Sequence, residues 1–295
     1  MSDTLESMRR KINGACDLES VVRTMKVLAA SNIVQYEKAV ISLAYYYKTV
    51  ELGLLVCFTE GGAFTLTEKI WRPKSDTVGA IVFGSDQGLV GQFNDTLAEF
   101  TCKWLEDYQG GKKIWVVGER MQSRIEDSGL AQSGLFAVPN SVNTITPVIG
   151  NILMDCESKL EKGEISQLLI FHNKPKSGAI YEPTMQRLLP LDEKWYNSIA
   201  GHTWPTYYIP QTIGGMEQTL RGVIRQYLFV TLFRSCAESL ASENASRLAA
   251  MQRAEKNIDE LLEDLNRTFH RLRQSTIDEE LFDVISGSEA LAKDK

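Results

Sequence analysis

Residues 22–54, VRTMKVLAASNIVQYEKAVISLAYYYKTVELGL, contain no proline and carry mostly apolar residues at steps of three and four. Such spacing keeps one narrow seam on a single side of an α-helix. The seam comprises Val22, Met25, Ala29, Asn32 and Tyr36, followed by Val40, Leu43, Tyr47, Val50 and Leu54. The pattern predicts an N-terminal helix over residues 3–58, which at 1.5 Å per residue would be about 80 Å long.

The C-terminal end is the second proline-free stretch. All eight prolines lie between Pro73 and Pro210, and proline stops helices because it lacks a backbone N–H and clashes with the preceding turn. Beyond Pro210 and the glycines at 214 and 215, a seam again steps by three and four through Ile258, Leu261, Leu265, Phe269, Leu272 and Thr276. We therefore expect two long N- and C-terminal helices that form an antiparallel coiled coil, built as a shaft.

The middle of the chain changes to a strand-like pattern. Short apolar runs at residues 77–83, 113–117 and 167–171 end at turn or breaker residues, which is typical of buried strands. Helical stretches near 92–107, 119–127 and 148–161 separate them, and residues 181–189 add an edge strand after a mobile loop at 174–178. This alternation predicts a central Rossmann-like α/β domain with a largely parallel sheet. The expected division is 1–60, 61–210 and 211–295.

Composition excludes several classes of function. An apolar fraction of 43% is normal for a folded soluble protein, and a formal charge of −6 argues against general nucleic-acid binding. Five scattered cysteines without a CxxC pair indicate reduced thiols rather than a disulfide framework or zinc site. No run of about 18 apolar residues is present, so we expect no direct membrane span. The N-terminus lacks the apolar region of a secretory signal.

Residues 84–94, GSDQGLVGQFN, are the segment that most resembles a chemical site. They follow a strand and precede a helix, where phosphate-binding loops lie, but neither GxGxxG nor a Gly-Lys-Ser/Thr sequence is present. The alternative is a tight strand-to-helix turn capped by Ser85 or Asp86. His172, His202 and His270 are far apart, and no catalytic or metal-binding spacing occurs. We expect no catalytic residue, no metal and no cofactor.

Three segments carry a resemblance to a known family. They are MRRKINGACDLESVVRTMKVLAAS at 8–31, SDQGLVGQFN at 85–94, and SENASRLAAMQRAEKN at 242–257 with its continuation to residue 291. Together, in this order, they resemble the gamma subunit of the F-type ATP synthase. The closely spaced cysteine pair of the chloroplast regulatory type is missing between residues 85 and 242. The chain therefore resembles a divergent bacterial or archaeal-type branch rather than the chloroplast type.

The resemblance implies a rotor shaft without catalytic chemistry of its own. In the family, the two long helices enter a hexamer of alpha and beta subunits, and the α/β domain contacts the membrane ring of c subunits. An epsilon subunit is a further implied partner. Rotation would couple proton or other ion transport through the ring to ATP synthesis or hydrolysis on beta. The implied location is the cytoplasmic face of the membrane, as a peripheral part of the complex.

The resemblance also assigns partner contacts. Met25 and Lys26 match the part of the first helix that meets the beta subunit, and Arg247, Gln274 and Glu280 match contact residues of the C-terminal helix. Residues 284–291 resemble a tip that turns in an apolar bearing. Asn32, Val34 and Asp278 depart from the family pattern, by removing positive charge or by adding negative charge beside Glu280. We expect electrostatic coupling to differ there, and we count Asp278 among the contacts.

Two other functions remain open from the sequence. The central domain could belong to a nucleotide-dependent enzyme, which binding of ATP or NAD to the purified chain would reveal. The helices could instead form a coiled-coil scaffold without a rotary role. Removal of residues 275–295 would then leave partner binding unchanged, whereas a rotor would lose coupling.

Overall fold

The computed structural model describes residues 4–61, 75–176, 179–191, 193–201, 203–208, 210 and 215–293. The expected helix start at Asp3 lies outside these ranges, as do Pro73, His202, Gly214 and the end of the predicted loop at residues 177–178. The chain divides into two compact units. One comprises residues 1–29 and 248–295, and the other comprises residues 30–247.

Two long helices form the ends of the chain. Helix α1 spans Leu5–Gly61 and helix α6 spans Met216–Lys293. Glu6 lies in the first turn of α1, where a carboxylate is favoured by the helix dipole. Helix α6 continues through Gly222, and a Cβ at that position would meet no atom within 4 Å. The structure thus confirms both long helices that the absence of proline predicts.

The two helices run antiparallel within residues 30–247. The Asn32 side chain donates to Asn244 Oδ1 at 3.3 Å, and the Tyr46 hydroxyl donates to Gln226 Oε1 at 2.9 Å. The partner numbers fall as the α1 numbers rise, which defines the antiparallel direction. In the other unit, α1 and α6 are joined by an ion pair between Lys26 and Glu255. This packing confirms the predicted fold class of paired end helices with a central α/β domain.

In the described ranges, the central sheet has five strands in the order β3-β2-β1-β4-β5. The strands are β1 at Thr77–Phe83, β2 at Gly111–Val117, β3 at Gln132–Phe136, β4 at Gln167–Lys176 and β5 at Ala179–Leu189. The first four are mutually parallel, whereas β5 is an antiparallel edge strand. The sheet is therefore largely parallel, as predicted, and its edge strand is present.

Two features of the sheet differ from the prediction. The loop expected at residues 174–178 is wrong for its first three residues, which continue β4, with Lys174 and Lys176 paired with β5. Pro175 fits there because β4 pairs with β1 only as far as Phe171 and its register with β5 shifts between Lys174 and Lys176. Strand β3 has no counterpart in the prediction, since its sequence QSGLF lacks a run of β-branched residues.

Four shorter helices lie among the described residues between the two long ones. They are α2 at Phe93–Glu106, α3 at Glu119–Asp127, α4 at Val142–Glu161 and α5 at Glu193–Ala200. Helix α4 begins six residues before the predicted start because Ser141 and Thr144 form a capping box. Pro147 is accommodated inside α4. Helix α5 is not anticipated by the sequence pattern.

Side chains that alternate along β1 divide the core into two layers. Val78, Ala80 and Val82 pack with residues of α2 and α3, including Leu97, Leu105, Met121 and Ile125. Ile81 and Phe83 point to the opposite face, where they join the core formed by α4 and the long helices, including Ile149, Leu54 and Leu228. One face of the sheet is thus covered by short helices and the other mainly by α1 and α6.

The hydropathy of α1 bears on the prediction that the chain has no membrane span. Among the described helices, α1 alone contains an 18-residue window long and apolar enough to cross a bilayer, with mean hydropathy 1.3 and 28% of its residues buried. This test uses length and composition only, and a core helix of a soluble protein passes it as well. Val50, Leu54 and Phe58 of α1 belong to the core described above.

Gly118 provides a test of the turn between β2 and α3. Its φ is +110°, and an added Cβ would lie 2.7 Å from the backbone of Ser85. We expect Gly118→Ala to lower the free energy of unfolding by about 2 to 4 kcal/mol through strain and overlap. Gly150→Ala, in the middle of α4 with open space around it, should instead stabilise the protein by about 0.5 to 1 kcal/mol. Urea denaturation of both variants checks this, and equal effects would contradict it.

Candidate functional site

The loop between β1 and α2 is closed by side-chain hydrogen bonds. The amide N–H of Ser85 donates to Asn94 Oδ1 at 3.0 Å, and Asn94 Nδ2 donates to Ser85 Oγ at 2.8 Å. Asp86 accepts from the backbone N–H of Glu119 at 3.0 Å and from that of Val138 at 2.9 Å. The tight turn is confirmed, but Asp86 caps α3 rather than α2. Helix α2 begins after Gln92, which provides no side-chain cap.

Helix α6 occupies the place where this kind of sheet usually binds ligands. From β1 the chain proceeds to β2 on one side and later reaches β4 on the other, so the strand order reverses between β1 and β4. Ligands of open α/β sheets bind in the crevice at the carboxyl ends of such strands. Here the Ser239 hydroxyl donates to the carbonyl of Phe83 at 2.9 Å, and Ser242 Oγ lies 3.0 Å from the carbonyl oxygen of Asn173. The crevice is therefore filled by the protein's own helix.

The loop itself is bound to α6 by a third serine. The Ser246 hydroxyl donates to the carbonyl of Val90 at 2.6 Å. Ser239, Ser242 and Ser246 are all buried and lie on one face of α6 because they are three and four residues apart. Two segments far apart in sequence, 85–94 and 242–257, thus meet at the carboxyl edge of the sheet. These serines are not among the predicted site residues, although their spacing in the sequence is a usable signal.

A buried carboxylate joins α6 to β4. Glu238 Oε2 lies 3.1 Å from His172 Nε2, and Glu238 Oε1 accepts from Arg234 Nε at 2.8 Å. Burial by itself would raise the pKa of Glu238, but the hydrogen bonds from His172 and Arg234 outweigh it and lower the pKa. The carboxylate is thus held in its charged form. His172, one of the three histidines of the chain, forms this contact.

Arg247 lies in a second buried polar cluster of α1 and α6. Its Nη2 donates to Glu243 Oε1 at 2.6 Å, and its side chain is only 12% exposed. Burial raises the pKa of Glu243, although the charge of Arg247 acts in the opposite direction. Burial, and next the charge of Glu243, raise the pKa of Tyr36 to about 12. The predicted partner contact at Arg247 is therefore engaged in an internal ion pair.

Met25 and Lys26 lie in the unit formed by residues 1–29 and 248–295, and both are half-buried. Lys26 Nζ is 2.5 Å from Glu255 Oε2, and Arg23 Nε is 3.6 Å from Glu255 Oε1. The hydrogen bond from Lys26 lowers the pKa of Glu255. Glu255, which the sequence analysis did not select, thus balances the charge of two cations on α1.

Gln274, Asp278 and Glu280 are exposed on the last part of α6. Around them, large apolar side chains also reach solvent, including Phe282 at 69% and Val284 at 70% exposure. The six predicted contacts therefore fall in three places rather than one cluster: Met25 with Lys26, Arg247 alone, and the three residues near the end of α6. Within the described ranges, no group of three His, Cys, Asp or Glu side chains is arranged to hold a metal ion.

Glu238 and Glu243 should give opposite pH dependences of stability. The pKa of Glu238 is lowered in the folded state, so its stabilisation is present above the ordinary value of 4.5 and is lost as the pH falls through the folded-state value. We expect Glu238→Gln to destabilise the protein by about 1.5 to 3 kcal/mol at about pH 7. The difference from wild type should shrink below the ordinary pKa.

Glu243→Gln is the matched variant for this experiment. The pKa of Glu243 is raised, so the folded state binds its proton more tightly and gains stability as the pH falls toward 4.5. Wild type should therefore gain stability relative to Glu243→Gln on acidification, whereas it loses stability relative to Glu238→Gln. Urea unfolding at several pH values measures both differences. The same sign for the two variants would contradict the assignment.

The pair of Lys26 and Glu255 can be tested by exchanging its charges. Lys26→Glu and Glu255→Lys should each lower the melting temperature, because each places like charges against one another across α1 and α6. The double variant restores opposite charges and should recover part of the loss, and added salt should weaken the recovery. Thermal unfolding at low and high salt measures this. A double variant with purely additive losses would show that the two side chains do not interact.

Comparison with known proteins gives full-length matches. The family described as ATP synthase matches residues 4–291. The ATP synthase gamma chain of Ruthia magnifica subsp. Calyptogena magnifica is 22% identical over 289 residues, which cover 97% of this chain and 99% of that protein. The ATP synthase gamma chain of Bdellovibrio bacteriovorus is 24% identical over 305 residues, with 98% and 99% covered.

Solved structures share the fold. A chain of the Euglena gracilis mitochondrial ATP synthase, from the OSCP/F1/c-ring part in rotational state 3, superposes with a TM-score of 0.62 at 15% identity and covers 99% of this chain and 95% of that chain. A chain of the Tetrahymena thermophila mitochondrial ATP synthase central stalk and c-ring gives 0.56 at 18% identity, with 79% and 99% covered. Because the family match spans nearly the whole sequence and both relatives are gamma chains over their full length, the chain belongs to the ATP synthase gamma chain family, which forms the central stalk of F-type ATP synthases.

Proposed function

We propose that this gamma chain is the rotating shaft that couples ion flow through a membrane ring to ATP synthesis or hydrolysis on a surrounding hexamer of alpha and beta subunits. The observation that carries the proposal is the exposure of large apolar residues in the unit formed by residues 1–29 and 248–295. On α1 these are Leu18, Val21, Val27 and Leu28, and on α6 they are Ile277, Leu281, Phe282, Val284 and Ile285. Apolar surface of this extent indicates a partner that covers it.

The proposed mechanism is a change of contacts rather than chemistry on this chain. A shaft whose sides differ presents a different surface to each beta subunit as it turns. Each beta conformation that contacts the shaft more favourably is then more populated, and its affinity for nucleotide changes accordingly. The chain itself would contribute no catalytic group, metal or cofactor. This accords with the crevice at the sheet edge, which α6 fills.

We propose the same three-part division that the sequence analysis expects. Residues 1–60 and 211–295 would form the shaft, and residues 61–210 would form the domain that contacts the ring of c subunits and an epsilon subunit. The chain would lie on the cytoplasmic face of the membrane as a peripheral part of the complex. One of the structural relatives includes a c-ring with its central stalk, which supports this arrangement.

We propose that Met25, Lys26, Arg247, Gln274, Asp278 and Glu280 contact the hexamer, the polar and charged ones in two modes. Gln274, Asp278 and Glu280 are exposed and would meet a partner without breaking an internal contact. Lys26 and Arg247 are paired with Glu255 and Glu243, so a partner carboxylate would compete with an internal one. When Lys26 or Arg247 exchanges its internal carboxylate for a partner carboxylate, its charge is paired both before and after the exchange. Such an exchange costs less free energy than a contact that leaves a buried charge unpaired.

Reconstitution tests the proposal as a whole. The full-length chain, mixed with the alpha and beta subunits of its own complex, should restore ATP hydrolysis linked to rotation of a bead attached to the central domain. The purified chain alone should hydrolyse no ATP. Hydrolysis and rotation that are the same with and without this chain would refute the rotary role. Stable binding without rotation would favour the scaffold function.

The exposed contacts near the end of α6 can be tested within the same complex. We expect the triple variant Gln274→Ala, Asp278→Ala and Glu280→Ala to slow rotation-linked hydrolysis about fivefold, the effect of about 1 kcal/mol of lost hydrogen bonding. The control is Lys256→Ala with Glu260→Ala, since these exposed residues of α6 pair mainly with one another. Hydrolysis rates and rotation speeds measure the effect. An equal loss in the control would contradict a specific contact.

A further inference from the structure

The joint between α6 and the central sheet contains directional bonds as well as apolar packing. Within residues 30–247, Ser239, Ser242 and Ser246 contact the backbone at three different points of the sheet edge: the end of β1, Asn173 of β4 just beyond its pairing with β1, and the loop before α2. Glu238 adds a contact to His172 on β4. Four side chains along about two turns of α6 therefore contact the sheet or the loop that follows β1.

The direction of the serine hydroxyls is the unusual feature. A serine inside a helix commonly bonds the carbonyl four residues earlier on its own helix. Ser239 and Ser246 instead bond carbonyls of the central domain, and Ser242 shares its hydroxyl between Asn173 and the carbonyl of Glu238 at 2.9 Å. Ser239 and Ser246 therefore link two parts of the protein, and Ser242 divides its hydroxyl between such a link and its own helix.

Such hydrogen bonds oppose small shifts of α6 against the sheet, which apolar packing opposes only weakly. Apolar contact is non-directional, so a helix can shift slightly along or around an apolar surface while the buried area stays nearly constant. A hydrogen bond weakens steeply when its angle or distance changes. Three bonds to separate points of the sheet edge therefore oppose both rotation and sliding of α6 against the sheet.

We propose that Ser239, Ser242 and Ser246 are positioning residues that transmit torque between α6 and the central domain. The inference rests on the rotary role proposed above and adds the element that makes the rotor stiff at this joint. Their hydroxyls keep the sheet edge in register with the helix while load is applied. Loss of the hydroxyls leaves the apolar core intact and makes the joint compliant.

The experiment measures the stiffness of the joint in the assembled complex. The hexamer is fixed to a surface, a bead is attached to the central domain, and thermal fluctuations of the bead angle are recorded while the motor is stalled. We expect Ser239→Ala, Ser242→Ala and Ser246→Ala each to lower the torsional stiffness, and the triple variant to lower it most. ATP hydrolysis without load should stay unchanged, because the hexamer-facing residues are untouched.

Ser235→Ala is the matched control. Ser235 is equally buried on α6, one turn before Ser239, and makes no hydrogen bond to the sheet in the described part of the chain. It should keep the stiffness of wild type. All measurements are made below the onset of thermal unfolding of each variant, so that a merely destabilised fold does not imitate a compliant joint.

The outcomes separate the inference from the function on which it rests. A wild-type chain that supports no rotation would refute the rotary role. Rotation by wild type with equal stiffness in the triple variant and in Ser235→Ala would refute the role of the serines alone. If the triple variant does not assemble, the single variants decide, and wild-type stiffness in all three overturns the inference.

Discussion

Buried hydrogen bonds from α6 to the carboxyl edge of the central sheet are the interaction on which the structure of residues 30–247 depends. Carbonyl groups at the end of a strand cost free energy if they are buried without a donor. Helix α6 supplies donors at Ser239, Ser242 and Ser246. The sheet edge can therefore be buried against a long helix, and the crevice that would otherwise accept a ligand becomes a structural joint.

This joint explains why a sheet of nucleotide-binding architecture serves a mechanical protein. The glycine-containing loop after β1 is closed by Ser85 and Asn94 and is bound to α6 by Ser246. The side chains of Ser85 and Asn94 and the carbonyl of Val90 are thus bonded within the chain. In the proposed complex the chemistry belongs to partner subunits, and this chain would contribute stiffness and an exposed apolar surface.

Periodicity predicted the elements that depend on local sequence. Strand β1 and helix α3 lie at the predicted bounds, and both long helices are present. A short apolar run that ends at a breaker residue specifies a buried strand, and steps of three and four specify a helix with one buried side. The predicted loop is wrong for residues 174–176, because a strand tolerates Pro175 here only where β4 no longer pairs with β1. Strand β3 and helix α5 were missed because their tertiary partners stabilise them. The sequence could name the six predicted contact residues, but it could not show that they fall in three separate places.

The sequence by itself determined the two helical ends, the α/β order of the middle and, through its three motifs, the family. These properties follow from residues close together in the chain, where proline and apolar spacing act directly on the backbone. Only the tertiary structure decided that Lys26 is paired with Glu255, that Arg247 is paired within α6, and that the serines of α6 fill the sheet edge. Burial and charge pairing bring together residues such as Phe83 and Ser239, 156 positions apart, and no local pattern encodes that distance.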